Sequence, residues 1–169
     1  MLVSPFPSYI LGPSAQIPIS KGNLLYSGVT LGKEYMVRFK VLATRFHDAG
    51  PRWTSVLLFT TGAKEGHGSK ILAVFFKNEN KKLHLSVNTQ SSFQELVRFK
   101  VPDIPTSVWT DVIVRQQERG GGHVIEVMVN GEMIGSVVNG DPFEFRDVKV
   151  YAAKGFNAQP GFIKDFSFN

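Results

Sequence analysis

Apolar and polar residues alternate along most of this chain with a period of two. In Tyr35-Met36-Val37-Arg38-Phe39-Lys40-Val41, the residues Tyr35, Val37, Phe39 and Val41 point to one side, and Met36, Arg38 and Lys40 to the other. A half-buried strand reads this way, because successive side chains leave the pleat in opposite directions. Arg98 and Lys100 alternate with Val97, Phe99 and Val101 in the same manner. The pattern predicts further strands over 53–61, 71–77, 82–87, 109–117, 123–130, 133–138, 147–153 and 162–168, with shorter extended segments around 16–19 and 23–28.

Turn signals separate these runs. Asn130-Gly131 sits between two alternating segments and predicts a tight hairpin, since both central residues of that turn need a positive φ. Asn139-Gly140-Asp141-Pro142, Gly120-Gly121-Gly122 and Lys64-Glu65-Gly66-His67-Gly68 mark other turns or loops. No stretch keeps helical spacing over three turns. Short antiparallel strands at regular intervals predict an all-β chain folded as a two-sheet antiparallel sandwich of the jelly-roll type. No linker or shift in composition divides the chain, so residues 1–169 read as one domain, with 1–14 as an extended N-terminal segment. Val37-Arg38-Phe39-Lys40-Val41 and Val97-Arg98-Phe99-Lys100-Val101 echo one another, but five residues are too few for a repeat architecture.

Composition narrows the function classes. Hydrophobic residues make up 43% of the chain and charged residues 20%, as in a folded domain. The longest apolar runs, Val56 to Phe59 and Ile71 to Phe76, are far too short for a membrane helix, so no transmembrane segment is expected. Nineteen Lys and Arg against 14 Asp and Glu leave a net charge of +5, a bias toward acidic partners such as sulfated or uronic glycans. Nucleic acid is not expected as a partner, because no interleaved basic-aromatic pattern accompanies that modest charge. The absence of cysteine excludes disulfides, thiolate metal sites and cysteine nucleophiles. The N-terminal stretch, with Pro5, Pro7 and Pro13, lacks the charged start and apolar run of a signal peptide, and the chain has no N-glycosylation sequon. An extracellular or cell-surface location is favoured.

The second half resembles the laminin-G-like and concanavalin A-like jelly rolls. The resemblance rests on Trp109-Thr110-Asp111-Val112-Ile113-Val114, Val127-Met128-Val129-Asn130-Gly131, Val148-Lys149-Val150-Tyr151 and the closing Pro160-Gly161-Phe162-Ile163-Lys164-Asp165-Phe166. It extends over roughly residues 15 to 168 and implies the fold more than an activity. Trp109 reads as a core filler between the sheets and Tyr151 as a residue packed at a sheet edge. Laminin-G-like relatives imply calcium as a candidate cofactor at a loop rim, with Asp48, Asp103 and Asp141 as candidate oxygen donors.

Enzymatic readings lack their residues. Glucanase jelly rolls need acids paired on one strand, whereas Glu126 and Glu132 are parted by the Asn130-Gly131 turn. Alginate-lyase jelly rolls are echoed loosely by Tyr151-Ala152-Ala153-Lys154-Gly155-Phe156-Asn157-Ala158-Gln159 and by Gln94 to Arg98. No Gln-Ile-His occurs, however, and Phe156 stands where the resemblance would require an acid/base tyrosine. Galectin sugar motifs are likewise incomplete around His84 and Trp109. His47, His67, His84 and His123 show no metal-ligand spacing. No catalytic residues are assigned.

Two features are candidates for recognition. Arg38 and Lys40, with Arg98 and Lys100, would form a patch of four cations if their strands lay close together, suited to sulfate or carboxylate groups. The loop holding Arg45, Phe46, His47, Asp48, Arg52 and Trp53 combines aromatic, acidic and basic groups, and binding residues concentrate on loops. The function expected is a non-catalytic carbohydrate-binding module or lectin, taking a glycan or glycoprotein, with acidic glycans preferred. A structural or adhesive module contacting proteins, self-association included, stays open, as does a polysaccharide lyase or hydrolase with a rearranged motif.

Overall fold

The computed structural model describes residues 9–10, 15–47, 53–90 and 96–169, and among these residues there is no helix. The strands are β1 (Tyr9–Ile10), β2 (Ile17–Pro18), β3 (Asn23–Leu31), β4 (Tyr35–Ala43), β5 (Trp53–Thr60), β6 (Leu72–Glu79) and β7 (Lys82–Gln90). They continue as β8 (Leu96–Ile104), β9 (Thr110–Arg119), β10 (Gly122–Val129), β11 (Glu132–Asn139), β12 (Phe145–Ala152), β13 (Asn157–Ala158) and β14 (Gly161–Phe168). One sheet runs β1-β14-β4-β9-β10-β11, with β2 also on β14; the other runs β3-β12-β5-β6-β7-β8, with β13 parallel to β5. We call them the first and second sheets.

The period-two pattern decides which side of each strand meets the core. Along β4, Tyr35, Val37, Phe39, Val41 and Ala43 are buried, while Met36 and Arg38 are exposed. Phe39, Phe59, Phe76 and Phe166 are fully buried between the sheets, each contributing about 1.5–3 kcal/mol through removal of apolar surface from water. Phe59 and Phe168 meet edge to face, with ring centroids 5.4 Å apart. At one side of the sandwich the sheets approach through β8 and β11, where a Cβ on Gly135 would fall 2.9 Å from the Phe99 ring.

The hairpins follow the turn chemistry. Asn130 and Gly131 have φ of 50° and 81° and join β10 to β11 as the sequence predicts. Between β6 and β7 the turn is Asn80-Lys81, with φ of 51° and 57°. That turn carries no glycine, and no turn was expected there.

Several expectations are corrected by alternation. Thr110, Val112 and Val114 face the core, so Trp109 precedes β9 and is half-buried outside the first sheet rather than between the sheets. The Lys164 ammonium sits 4.2 Å from its ring centroid. Tyr151 lies on β12, an interior strand flanked by β3 and β5, not at an edge. The strands β3 and β7 run longer than the 23–28 and 82–87 segments the pattern marks.

Candidate functional site

Three strands of the second sheet, β5, β6 and β7, are buried on both faces over most of their length. The inward side chains are the core; the outward ones form the floor of a groove. Registered partners project on the same face, so the outward side chains fall into rows. Tyr151, Leu58, Ala73, Asn88 and Arg98 form one row. Ser55, Phe75, Ser86 and Lys100 form the next, and Trp53, Lys77 and His84 a third.

Leu58, Ala73, Phe75 and Trp53 make a small apolar cluster separate from the core. Trp53 and Phe75 meet edge to face at 6.5 Å, and Phe75 and Phe156 at 5.2 Å, which gives an aromatic ridge. Cations lie along it. The Arg98 guanidinium is 5.1 Å from the Trp53 ring centroid and Lys77 is 6.0 Å from it; Lys70 lies 5.9 Å from Phe75, and Lys154 4.1 Å from Tyr151. Arg98 Nε donates to Asn88 Oδ1 at 3.0 Å, so the arginine is held by an amide on one side and a ring on the other. Among the described residues no carboxylate pairs with Lys70, Arg98, Lys100 or Lys154, whereas Lys77 is paired with Glu79 at 2.8 Å.

The walls are fixed to the sheet by polar groups. The Lys154 backbone N–H donates to Ser55 Oγ at 3.1 Å, seating the segment that carries Phe156. The Gly68 N–H donates to Gln90 Oε1 at 2.9 Å, holding the 62–70 loop that supplies Lys70. The central hollow, of about 510 Å³, is lined by Trp53, Lys70, Phe75, Asn88, Arg98, Lys100 and Phe156.

The outward face of the first sheet is different. Arg38 pairs with Asp111 at 3.1 Å and Lys40 with Asp165 at 3.5 Å. Arg115 and Arg119 close on Glu126, whose side chain is 3% exposed, at 2.6 and 2.9 Å. Arg38 and Lys40 are on β4, and Arg98 and Lys100 on β8, so the four candidate cations lie on opposite outer faces and form no common patch.

The candidate loop is drawn together at its start. Gln159, fully buried, donates to the Arg45 carbonyl at 2.8 Å, accepts from Asn78 Nδ2 at 3.2 Å, and is bonded by the Thr54 hydroxyl. The His47 N–H donates to Asn78 Oδ1 at 2.9 Å, and the buried Nδ1 of His47 has no hydrogen-bond partner. The backbones of Arg45 and His47 are thereby tied through Gln159 and Asn78 to Thr54, the residue after Trp53, while Asp48 and Arg52 lie outside the described residues. Asp103 pairs with Lys82 at the start of β7, and Asp141 lines a hollow with Gln90 at its end, so these two cannot share a calcium ion. Among the described residues no three His, Cys, Asp or Glu side chains gather as metal ligands.

With the geometry in place, solved structures supply the comparison. A family 7 alginate lyase with bound product superposes with a TM-score of 0.52 at 14% identity, over 83% of this chain and 65% of the lyase. Domain 4 of an extracellular family 43 arabinanase from Geobacillus stearothermophilus, in complex with arabinotriose, gives 0.55 at 17% identity, over 96% of this chain and 81% of that domain. The receptor-binding domain of botulinum neurotoxin type G gives 0.58 at 11% identity, over 95% of this chain and 42% of that one. The chain shares the jelly-roll β-sandwich fold of these structures. No family model matches the sequence, and no curated protein matches it. The chain spans less than two thirds of the lyase it resembles.

The groove contains residues the sequence did not assign to recognition: Lys70, Phe75, Asn88, Lys154 and Phe156. Phe75 and Leu58 carried a signal, since an unbroken apolar run implies that both faces of a strand are covered.

Proposed function

We propose that this domain is a non-catalytic carbohydrate-binding module that takes anionic glycans on the outer face of the second sheet. The observation that carries the reading is Arg98, positioned by Trp53 and Asn88 with no carboxylate on its terminal nitrogens. A guanidinium fixed through Nε still offers its two terminal groups to a planar carboxylate or a sulfate. The neighbouring aromatic faces suit the apolar side of a sugar ring, and the buried Asn88 and Ser86 supply polar contacts at the floor.

The placement of the proton-transfer groups supports the non-catalytic part. His84 and Tyr151 are the imidazole and phenol in these rows, on β7 and β12, with β5 and β6 between them. Three strand spacings amount to about 14 Å, too far for both to serve one sugar. The arabinanase domain of similar fold, solved with the neutral glycan arabinotriose, supports the glycan part of the reading and not its charge preference.

The test is calorimetric titration with a polyuronate, a sulfated glycan and a neutral glycan. Saturable binding to either anionic polymer, weakened in Arg98→Ala, is the expected result. Equal binding to the neutral polymer would remove the anionic preference. New unsaturated ends or reducing ends during incubation would overturn the non-catalytic assignment. No binding to any of the three polymers would overturn the reading as a whole.

A further inference from the structure

Resting on the glycan-binding reading, we infer that the groove is built for a run of about four to five consecutive sugars of a linear polymer, not for a single sugar or a chain end. The central hollow continues on both sides. Beyond Phe156 it shares Lys70 and Phe75 with a second hollow of about 430 Å³, which reaches Thr60 and Lys154. Beyond Trp53 it shares Arg98 and Lys100 with a third, of about 370 Å³, which reaches Lys77 and His84.

The length follows from the strand beneath. The outer hollows touch the two ends of β5, Thr60 and Trp53. Seven steps at about 3.3 Å per residue span roughly 23 Å, against about 5 Å for one linked sugar. The recognition groups are spread along that length as well. Lys154 and Lys70 serve one end and Arg98 and Lys100 the middle, while at the other end Lys77, paired with Glu79, stands with His84. A site for one sugar gathers its polar groups around one point. Here cations without a carboxylate partner among the described residues recur from one end of the groove to its middle, so charges on successive sugars meet partners over that stretch, and Phe156 and Trp53 provide separate ring platforms packed on Phe75.

The experiment is calorimetry with size-fractionated oligouronates from dimer to octamer, with a sulfated series run in parallel. Affinity is expected to climb steeply through the tetramer or pentamer and then level off in whichever series binds. Phe156→Ala, at an exposed position outside the core, should weaken the hexamer about tenfold and the dimer by clearly less. Circular dichroism of the variant checks that the fold is intact. Dimers binding as tightly as octamers, or an equal loss for every length in Phe156→Ala, would overturn this inference and leave the glycan reading standing. No binding at any length in either series would overturn the glycan reading itself.

Discussion

The Arg98 guanidinium lies 5.1 Å from the centre of the Trp53 ring, although the two residues sit on strands at opposite sides of a four-strand stretch. They meet because the outward residues of β7, Ser86 and Asn88, are short, so the Arg98 side chain reaches across that strand toward the Trp53 ring, which itself packs on Phe75 of β6. Arg98→Ala should therefore lower affinity for an anionic glycan about 10- to 100-fold. Arg98→Lys should recover only part of it, since an ammonium lacks the planar fork. Titration of both variants against one polymer decides the matter; full recovery by lysine would mean that charge alone is read.

The two outer faces give a second prediction. Arg38 is already neutralised by Asp111 and is half exposed, so Arg38→Ala should change glycan affinity by less than about twofold. Its effect on stability should stay within about 1 kcal/mol, as for other exposed ion pairs. A large loss of binding in Arg38→Ala would place the site on the first sheet.

Much of the fold was legible and less of the site. Tyr35 to Val41 shows its core face directly, and Asn130-Gly131 announces its turn. The groove is harder to read, because its parts come from β5, β6, β7, β8 and the 154–156 segment, joined only by strand order. The sequence shows that Arg38/Lys40 and Arg98/Lys100 each face away from the core; it does not show that they lie on different sheets. Trp109 was misplaced for a related reason: a large aromatic suggests the interior, but alternation with Thr110 turns it outward.

A third prediction concerns packing at the start of β14. A Cβ on Gly161 would lie 2.0 Å from the Leu42 carbonyl oxygen, and backbone cannot yield as a side chain does. Gly161→Ala should cost at least about 2 kcal/mol in chemical denaturation, through displacement of β14 from β4. Gly140→Ala, where nothing lies within 4 Å, serves as the control.

A fourth concerns alkaline pH. Burial pushes the Tyr35 phenol well above its ordinary value of 10.0. The unfolded chain releases that proton from about pH 10 upward while the folded one retains it, so stability is full below this pH and falls as pH rises beyond it. Tyr35→Phe should lose less stability between pH 9 and pH 11 than the parent, measured by urea unfolding at each pH. Equal slopes for the two proteins would show that Tyr35 ionises without penalty.

The pairing of acids with bases on the first sheet, against Lys70, Arg98, Lys100 and Lys154 left without a carboxylate partner among the described residues along the groove, gives the molecule an electric moment. Torque acts at a distance where hydrogen bonds and stacking do not, out to about one Debye length, 8 Å in physiological salt. A domain drifting toward a polyanionic fibre would turn before touching it and arrive groove first. Fewer collisions would be wasted on the wrong side, and this orientational advantage would fade as salt is added while the stacking on Trp53 remained.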